Sequence, residues 1–379
     1  MIGSSGQVTN ESISGRARRN LTSGNLRIGI LGVGFGSDVH IPGFRSEGWD
    51  VAAVYSRNEE RARTAAGEND VSDFHTDAYE MISRNDLDAI AIATPPTPHH
   101  DFAIAALNAG KHVLCEKPFA LSAAQAAEMR DVAASSGRTA MVAHEFRHTP
   151  QREQIKELID DSYIGEFKLA SLELYLSRGG SETPPAMTWA SSRADGGGFL
   201  GALGSHFIDG LRYWFGDVDT VTGRLDTFQP DRTDDSGAIV QSQTDDSFTF
   251  TLTFKNGGSA TMICSSAVTP ARGARISVMG SHGTLFAEQN SPNPAEDGGI
   301  LGSQNGGPLE AIETPARMMP FSDDRDPRLM AFRLLVRDFN RGIEEGTSPA
   351  PNFVDAWRCQ QILDAVRESS DTGRTVRID

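Results

Sequence analysis

The segment Gly32-Val33-Gly34-Phe35-Gly36-Ser37 constrains this chain more than any other. It directly follows a short apolar run, Leu26 to Leu31, and precedes a helical stretch. Such a run, closed by glycines, reads as a buried parallel strand. Gly32 permits a tight turn, and Gly34 lets the backbone approach a pyrophosphate. The helix start then offers N–H donors and the positive end of its dipole to phosphate. Ser37 stands where Gly or Ala is usual, and it is small enough for close helix–strand packing. A loop of this kind is informative only on a strand–turn–helix unit, so its surroundings decide its meaning.

Those surroundings repeat. Val51 to Val54, Leu87 to Ala93, Lys111 to Cys115 and Thr139 to Ala143 are further apolar runs. Between them lie the helical stretches Glu59 to Ala66, Asp101 to Ala109 and Ser122 to Ser135. Gly110 closes the second of these and Ser122 caps the third. Strand and helix alternating at this spacing imply βαβ units and a doubly wound parallel sheet. The expectation is an α/β protein with a dinucleotide-binding domain over residues 26–145.

After residue 145 the texture changes. Gln151 to Ile159 reads as a helix. Phe167 to Leu176, Ser247 to Phe254, Gly258 to Ser265, Arg275 to Met279 and Thr284 to Ala287 read as strands, with Asn256-Gly257 a hairpin turn between two of them. This predicts a C-terminal α+β domain, residues 146–379, built on a large, mostly antiparallel sheet. The outer sheet face would be solvated or would pair two subunits into a homodimer or homotetramer. Residues 290–327, rich in Gly, Pro, Asp and Asn, read as a long surface excursion. Helices are expected at 328–345 and 353–369, the last packing back on the N-terminal domain. Residues 1–25 read as a disordered tail, and no apolar segment follows Arg16 to Arg19 to make a signal peptide.

Composition narrows the function. With 35 basic and 51 acidic residues the net charge is −16, which disfavours nucleic acid and anionic membranes as partners. No apolar run of membrane-spanning length is present. The three cysteines are scattered, so neither a disulfide framework nor a zinc knuckle is indicated, and no metal site is expected. A reducing, cytoplasmic setting fits this usage.

At the end of the second strand, Tyr55-Ser56-Arg57 holds no acid to bind the ribose 2′-hydroxyl of NAD. Ser56 and Arg57, helped by Arg61, suit a 2′-phosphate, which favours NADP over NAD. Alternatively, Arg57 is a solvated residue at a helix start. Further cofactor contacts are expected from Gly32, Gly34, Phe35, Gly36 and Ser37, and from the loop Thr94-Pro95-Pro96-Thr97-Pro98-His99, which proline stiffens.

Four segments together resemble the glucose–fructose oxidoreductase / inositol dehydrogenase / MocA family. They are the glycine loop, Thr94 to His99, Ala109-Gly110-Lys111-His112-Val113-Leu114-Cys115-Glu116-Lys117-Pro118, and the glycine-rich run Gly196 to Asp209. Phe146-Arg147-His148-Thr149-Pro150 and the tail from Ile362 to Arg374 are similar as well. The resemblance implies that Glu116 contacts the nicotinamide ribose and that Lys117 points at the substrate oxygen. His206 would take or give a proton. Arg147, Trp189 and Asp209 are candidate substrate residues. The family pattern carries an Asp four residues before the histidine, where this chain has Ala202. The implied reaction is hydride transfer between NADP or NAD and a sugar, polyol or related cyclic alcohol. Two other readings are a glycoside-cleaving enzyme that retains its cofactor and a non-catalytic NAD(P)-binding sensor.

Overall fold

The computed structural model describes residues 25–177, 184–289 and 297–378. Residues 1–24 of the expected tail and 290–296 of the expected excursion lie outside the described residues.

Six parallel strands form the first sheet: β1 (Arg27–Leu31), β2 (Asp50–Tyr55), β3 (Asp73–His75), β4 (Ala89–Ile92), β5 (His112–Cys115) and β6 (Ala140–Val142). Their order is β3-β2-β1-β4-β5-β6, so the winding reverses between β1 and β4. In open α/β sheets ligands bind outside the strand ends at that reversal. The connecting helices are α1 (Ile41–Ser46), α2 (Glu59–Glu68), α3 (Ala78–Ile82), α4 (His99–Asn108) and α5 (Ala123–Ser136). The Asn58 side chain caps α2 by accepting from the Arg61 amide, and Ser122 caps α5 through the Gln125 amide. Both satisfy a helix-start N–H that would otherwise lack a partner. β3 and α3 add to the elements read from the sequence. β3 is a three-residue edge strand without a fully buried side chain, so it carries no apolar run to announce it.

The second unit begins with α6 (Pro150–Asp160) and β7 (Phe167–Tyr175), followed by α7 (Ser205–Phe215). Next come β8 (Val218–Asp226), a hairpin of β9 (Asp231–Thr233) and β10 (Ile239–Gln241), β11 (Ser247–Phe254), β12 (Ser259–Ser265), β13 (Gly273–Gly280), β14 (Gly283–Gln289), β15 (Asp297–Gln304) and β16 (Glu310–Ile312). The chain ends with α8 (Leu329–Glu345), α9 (Phe353–Thr372) and β17 (Val376–Arg377). Nine strands make one sheet, ordered β16-β15-β14-β13-β7-β12-β11-β8-β17. All neighbours are antiparallel except β7 and β12. Strand β11 shows why one face is core: Phe248, Phe250, Leu252 and Phe254 are buried, while the threonines between them face outward.

One expectation is corrected and another is extended. The segment 290–327 is not simply a surface excursion, because β15 pairs with β14 and β16 with β15, extending the sheet. Its glycines carry no alternating pattern, and the backbone groups of a neighbouring strand supply what the side chains do not. The return to the N-terminal sheet also involves more than the last helix. Leu329, Phe332, Leu335, Val336 and Phe339 of α8 share a core with Ile28, Ile30, Val39 and Phe44. Helix α9 straddles both units, with Phe353 and Ala356 in the core around β4 and β5 and Ile362, Leu363 and Val366 in the core of the large sheet.

Candidate active site

The C-terminal ends of β1, β4, β5 and β6 carry the residues of interest. After β1 the backbone turns at Gly32, whose φ is +114° and whose N–H donates to the Tyr55 carbonyl at 3.0 Å. A Cβ there would lie 2.5 Å from the Ala93 carbonyl oxygen, so any side chain would drive β1 and β4 apart. At Gly34, by contrast, a Cβ would meet nothing within 4 Å, so the loop backbone is open to a ligand. Beside it the Ser37 and Thr94 hydroxyls are buried without a hydrogen-bond partner. Buried polar groups in native proteins are paired, so orphaned donors around an open glycine loop fit a phosphate-bearing cofactor.

The chain after the loop forms a π-helical turn, Gly36–His40, before α1. This turn brings His40, wholly buried, to Glu116 at the end of β5. His40 Nε2 donates to Glu116 Oε1 at 2.9 Å. Burial disfavours the Glu116 carboxylate, but the His40 hydrogen bond and charge, with Lys117, outweigh it and hold the carboxyl below its ordinary range. Phe332 of α8 packs 4.5 Å from the His40 ring and fixes it from behind.

Lys117 is half-buried, and its Nζ donates to the Ala202 carbonyl at 3.2 Å. The position four residues before His206 therefore meets the lysine through its backbone. The glycine run that presents it is held by Asp245, whose carboxylate accepts from the Leu200 amide at 2.7 Å. Gly198, at φ +113°, is where that carboxylate comes so close that any Cβ would run into it. Another π-helical turn, Leu200–Gly204, leads into α7 and His206.

His206 is 3% exposed and stacks on Phe146, with ring centres 3.7 Å apart. Burial, and then the charges of Lys117, His144 and Arg152, push its pKa well below the usual histidine value, so its imidazole is neutral.

Other expected residues lie elsewhere. His99 is wholly buried and donates from Nε2 to the Thr94 carbonyl at 2.8 Å, bracing the loop. Arg147 and Asp209, expected at the substrate, pair with each other. Arg147 Nε and Nη2 donate to the two Asp209 carboxylate oxygens at 2.7 and 2.6 Å, and both residues are buried. Trp189 is half-buried in a short 3₁₀ turn whose carbonyl packs under Gly197. Of the loop prolines, Pro95 is exposed and Pro96 lies against Gly196. Ser56 accepts from the Asn58 amide at 3.3 Å, while Arg57 and Arg61 are exposed and form no ion pair among the described residues. Phe35 is half-buried beneath Arg328.

Sequence reasoning missed His40 and Glu145. Glu145 lies just beyond β6, beside His206, with its carboxyl 4% exposed as a residue. An ionisable residue at the C-terminal end of a buried parallel strand is a usable signal, and Glu145 met it.

The chain matches two family models. Residues 26–144 match the NAD-binding Rossmann fold of an oxidoreductase family, and 156–378 match that family's C-terminal alpha/beta domain. It is 27% identical over 353 residues to an uncharacterised oxidoreductase of Synechocystis, covering 92% of this chain and 94% of that one. It is 26% identical over 386 residues to levoglucosan dehydrogenase of Pseudarthrobacter phenanthrenivorans, covering 91% and 96%. A solved levoglucosan dehydrogenase in complex with NADH and levoglucosan shares the fold, with a TM-score of 0.84 at 23% identity over 93% of this chain and 99% of that one. Two family models spanning both sheets, over this arrangement of loop, lysine and histidine, place the chain in the GFO/IDH/MocA oxidoreductase family.

Proposed function

We propose that the protein is a nicotinamide-dependent dehydrogenase or reductase acting on a hydroxyl or carbonyl of a sugar, polyol or related cyclic alcohol. The observation that carries this reading is the Lys117 Nζ contact with the Ala202 carbonyl, which joins the end of β5 to the glycine run before His206. One amine and one neutral imidazole thereby reach one site from two units. When bound, the nicotinamide supplies the hydride chemistry. The open backbone at Gly34, with the Ser37 and Thr94 hydroxyls, holds the phosphates, and Glu116, kept ionised by His40, holds the nicotinamide ribose. Lys117 orients the substrate oxygen, and Lys117 and His206 pass its proton.

Arg57 and Arg61, exposed after the β2 end and without an ion pair among the described residues, favour NADP. The levoglucosan dehydrogenase structure holds NADH, so both cofactors belong in the test. Titration with NADPH and with NADH, followed by nicotinamide fluorescence, is expected to show tighter NADPH binding. Arg57→Ala is expected to weaken NADPH roughly tenfold or more and leave NADH unchanged. Equal affinities in the wild type would remove the 2′-phosphate assignment. Oxidation of levoglucosan, glucose and myo-inositol with the bound cofactor then tests turnover.

The reading includes a homodimer or homotetramer formed through the outer face of the nine-stranded sheet. A shallow hollow there is lined by Ser171, Glu173, Thr249, Thr251, Thr261 and Ile263. The buried thiols of Cys115, Cys264 and Cys359 are compatible with a reducing cytoplasm. Among the described residues no helix is long and apolar enough to cross a membrane.

A further inference from the structure

Glu145 is a buried acid that cofactor binding does not require. It opens the short 3₁₀ helix Glu145–His148 after β6. Its Oε1 lies 4.0 Å from His206 Nε2, and its Oε2 has no hydrogen-bond partner. Glu116 and Lys117 at the end of β5, Arg152 on α6 and Arg328 before α8 all act on it electrostatically. His144 precedes it in the chain and stands edge-on to His206, with ring centres 5.7 Å apart.

A carboxyl buried for structure alone is paired. The gap to His206 is too long for a direct hydrogen bond, yet a single oxygen about 2.8 Å from each atom would bond to both. Lys117 Nζ donates to the Ala202 carbonyl one helical turn before His206, and its charge acts on both Glu145 and His206. Ala202, one helical turn before His206, contributes no ionisable side chain.

We propose that Glu145 is the acid–base carboxyl of this site, sharing the substrate's reacting oxygen with His206. The inference rests on the dehydrogenase reading above. In oxidation the O–H bond breaks and its proton ends on the Glu145 carboxylate, while the hydride leaves the same carbon for the nicotinamide. In reduction the Glu145 carboxyl returns the proton to oxygen as hydride arrives at carbon. Burial, then the negative charge of Glu116, push the Glu145 carboxyl up to about 8. Oxidation needs the carboxylate and therefore speeds up as pH rises through about 8; reduction needs the acid and slows over the same range.

The test compares wild type, Glu145→Gln and Glu145→Asp from about pH 6 to 10, using levoglucosan, glucose and myo-inositol as probes and NADH and NADPH fluorescence as the binding readout. Gln is expected to keep cofactor affinity, lose the rise near pH 8 and fall about a hundredfold or more in kcat/KM. Asp, which keeps an ionisable group, is expected to retain a pH-dependent limb at a lower rate. A Gln variant with the wild-type rate and profile overturns the role of Glu145 and leaves the dehydrogenase reading standing. A wild type that binds cofactor and oxidises none of the probes overturns both. If the Gln variant does not fold, the Asp variant decides, and a flat profile there overturns the proposal.

Discussion

His40 Nε2 donates to Glu116 Oε1 across 2.9 Å in the interior of the protein, tying the turn after the glycine loop to the end of β5. The two residues are 76 positions apart, yet His40 holds the Glu116 carboxyl below its ordinary range. The phosphate end and the ribose end of the proposed cofactor site are thereby joined in one hydrogen-bonded unit.

Removing the imidazole tests that unit. His40→Ala leaves a buried carboxyl without its hydrogen-bond donor, and we expect a loss of about 3 kcal/mol in urea unfolding. NADH or NADPH affinity is expected to fall with it. A variant of wild-type stability and affinity would show that Glu116 does not depend on His40.

The Arg147–Asp209 pair makes a prediction about pH. Burial opposes the Asp209 charge, but Arg147 outweighs it and holds the carboxyl below its ordinary range. The stability this supplies is complete above the unfolded-state value of about 3.9 and is lost as pH falls through the lower native-state value. Asp209→Asn is expected to cost about 3 kcal/mol at neutral pH, because it leaves the buried Arg147 with only the Asp355 carboxylate, 3.1 Å from its Nη2, as a charge partner. The unfolding free energies of wild type and variant should converge as pH drops below about 4. A constant difference at every pH would mean that the ion pair is not the cause.

Lys117→Ala removes the amine without touching the glycine loop. Alcohol oxidation is expected to drop by about 10²–10⁴-fold, with nicotinamide fluorescence still reporting bound cofactor. Turnover close to wild type would take Lys117 out of the proton path.

Ile263 faces outward from β12 and is 40% exposed in the single chain. Sedimentation velocity is expected to show a dimer or tetramer for the wild type and a monomer for Ile263→Arg, because an unpaired charge cannot be buried cheaply between two sheets. A monomeric wild type would end the interface reading.

The sequence alone determined the alternating strands and helices of the first sheet, the turn at Gly32, the Asn256-Gly257 hairpin and the approximate extent of α8 and α9. Each depends on neighbours a few residues away: apolar runs, caps, and glycines where φ is positive. It also marked Glu116, Lys117 and His206 as candidates, through motifs that are contiguous in the chain. Tertiary structure decided the rest. β15 and β16 became strands because an open sheet edge offered hydrogen bonds, which their own residues do not advertise. Helix α8 entered the first core because Phe332 and Phe339 meet Phe44, nearly three hundred residues earlier in the chain. Arg147 and Asp209, both legible as polar candidates, neutralise each other across 62 positions. In the sequence Glu145 is legible only as one of several ionisable residues just after a buried strand; what sets it apart is a carboxyl 4.0 Å from an imidazole on another element, a relation that exists only once the chain has folded.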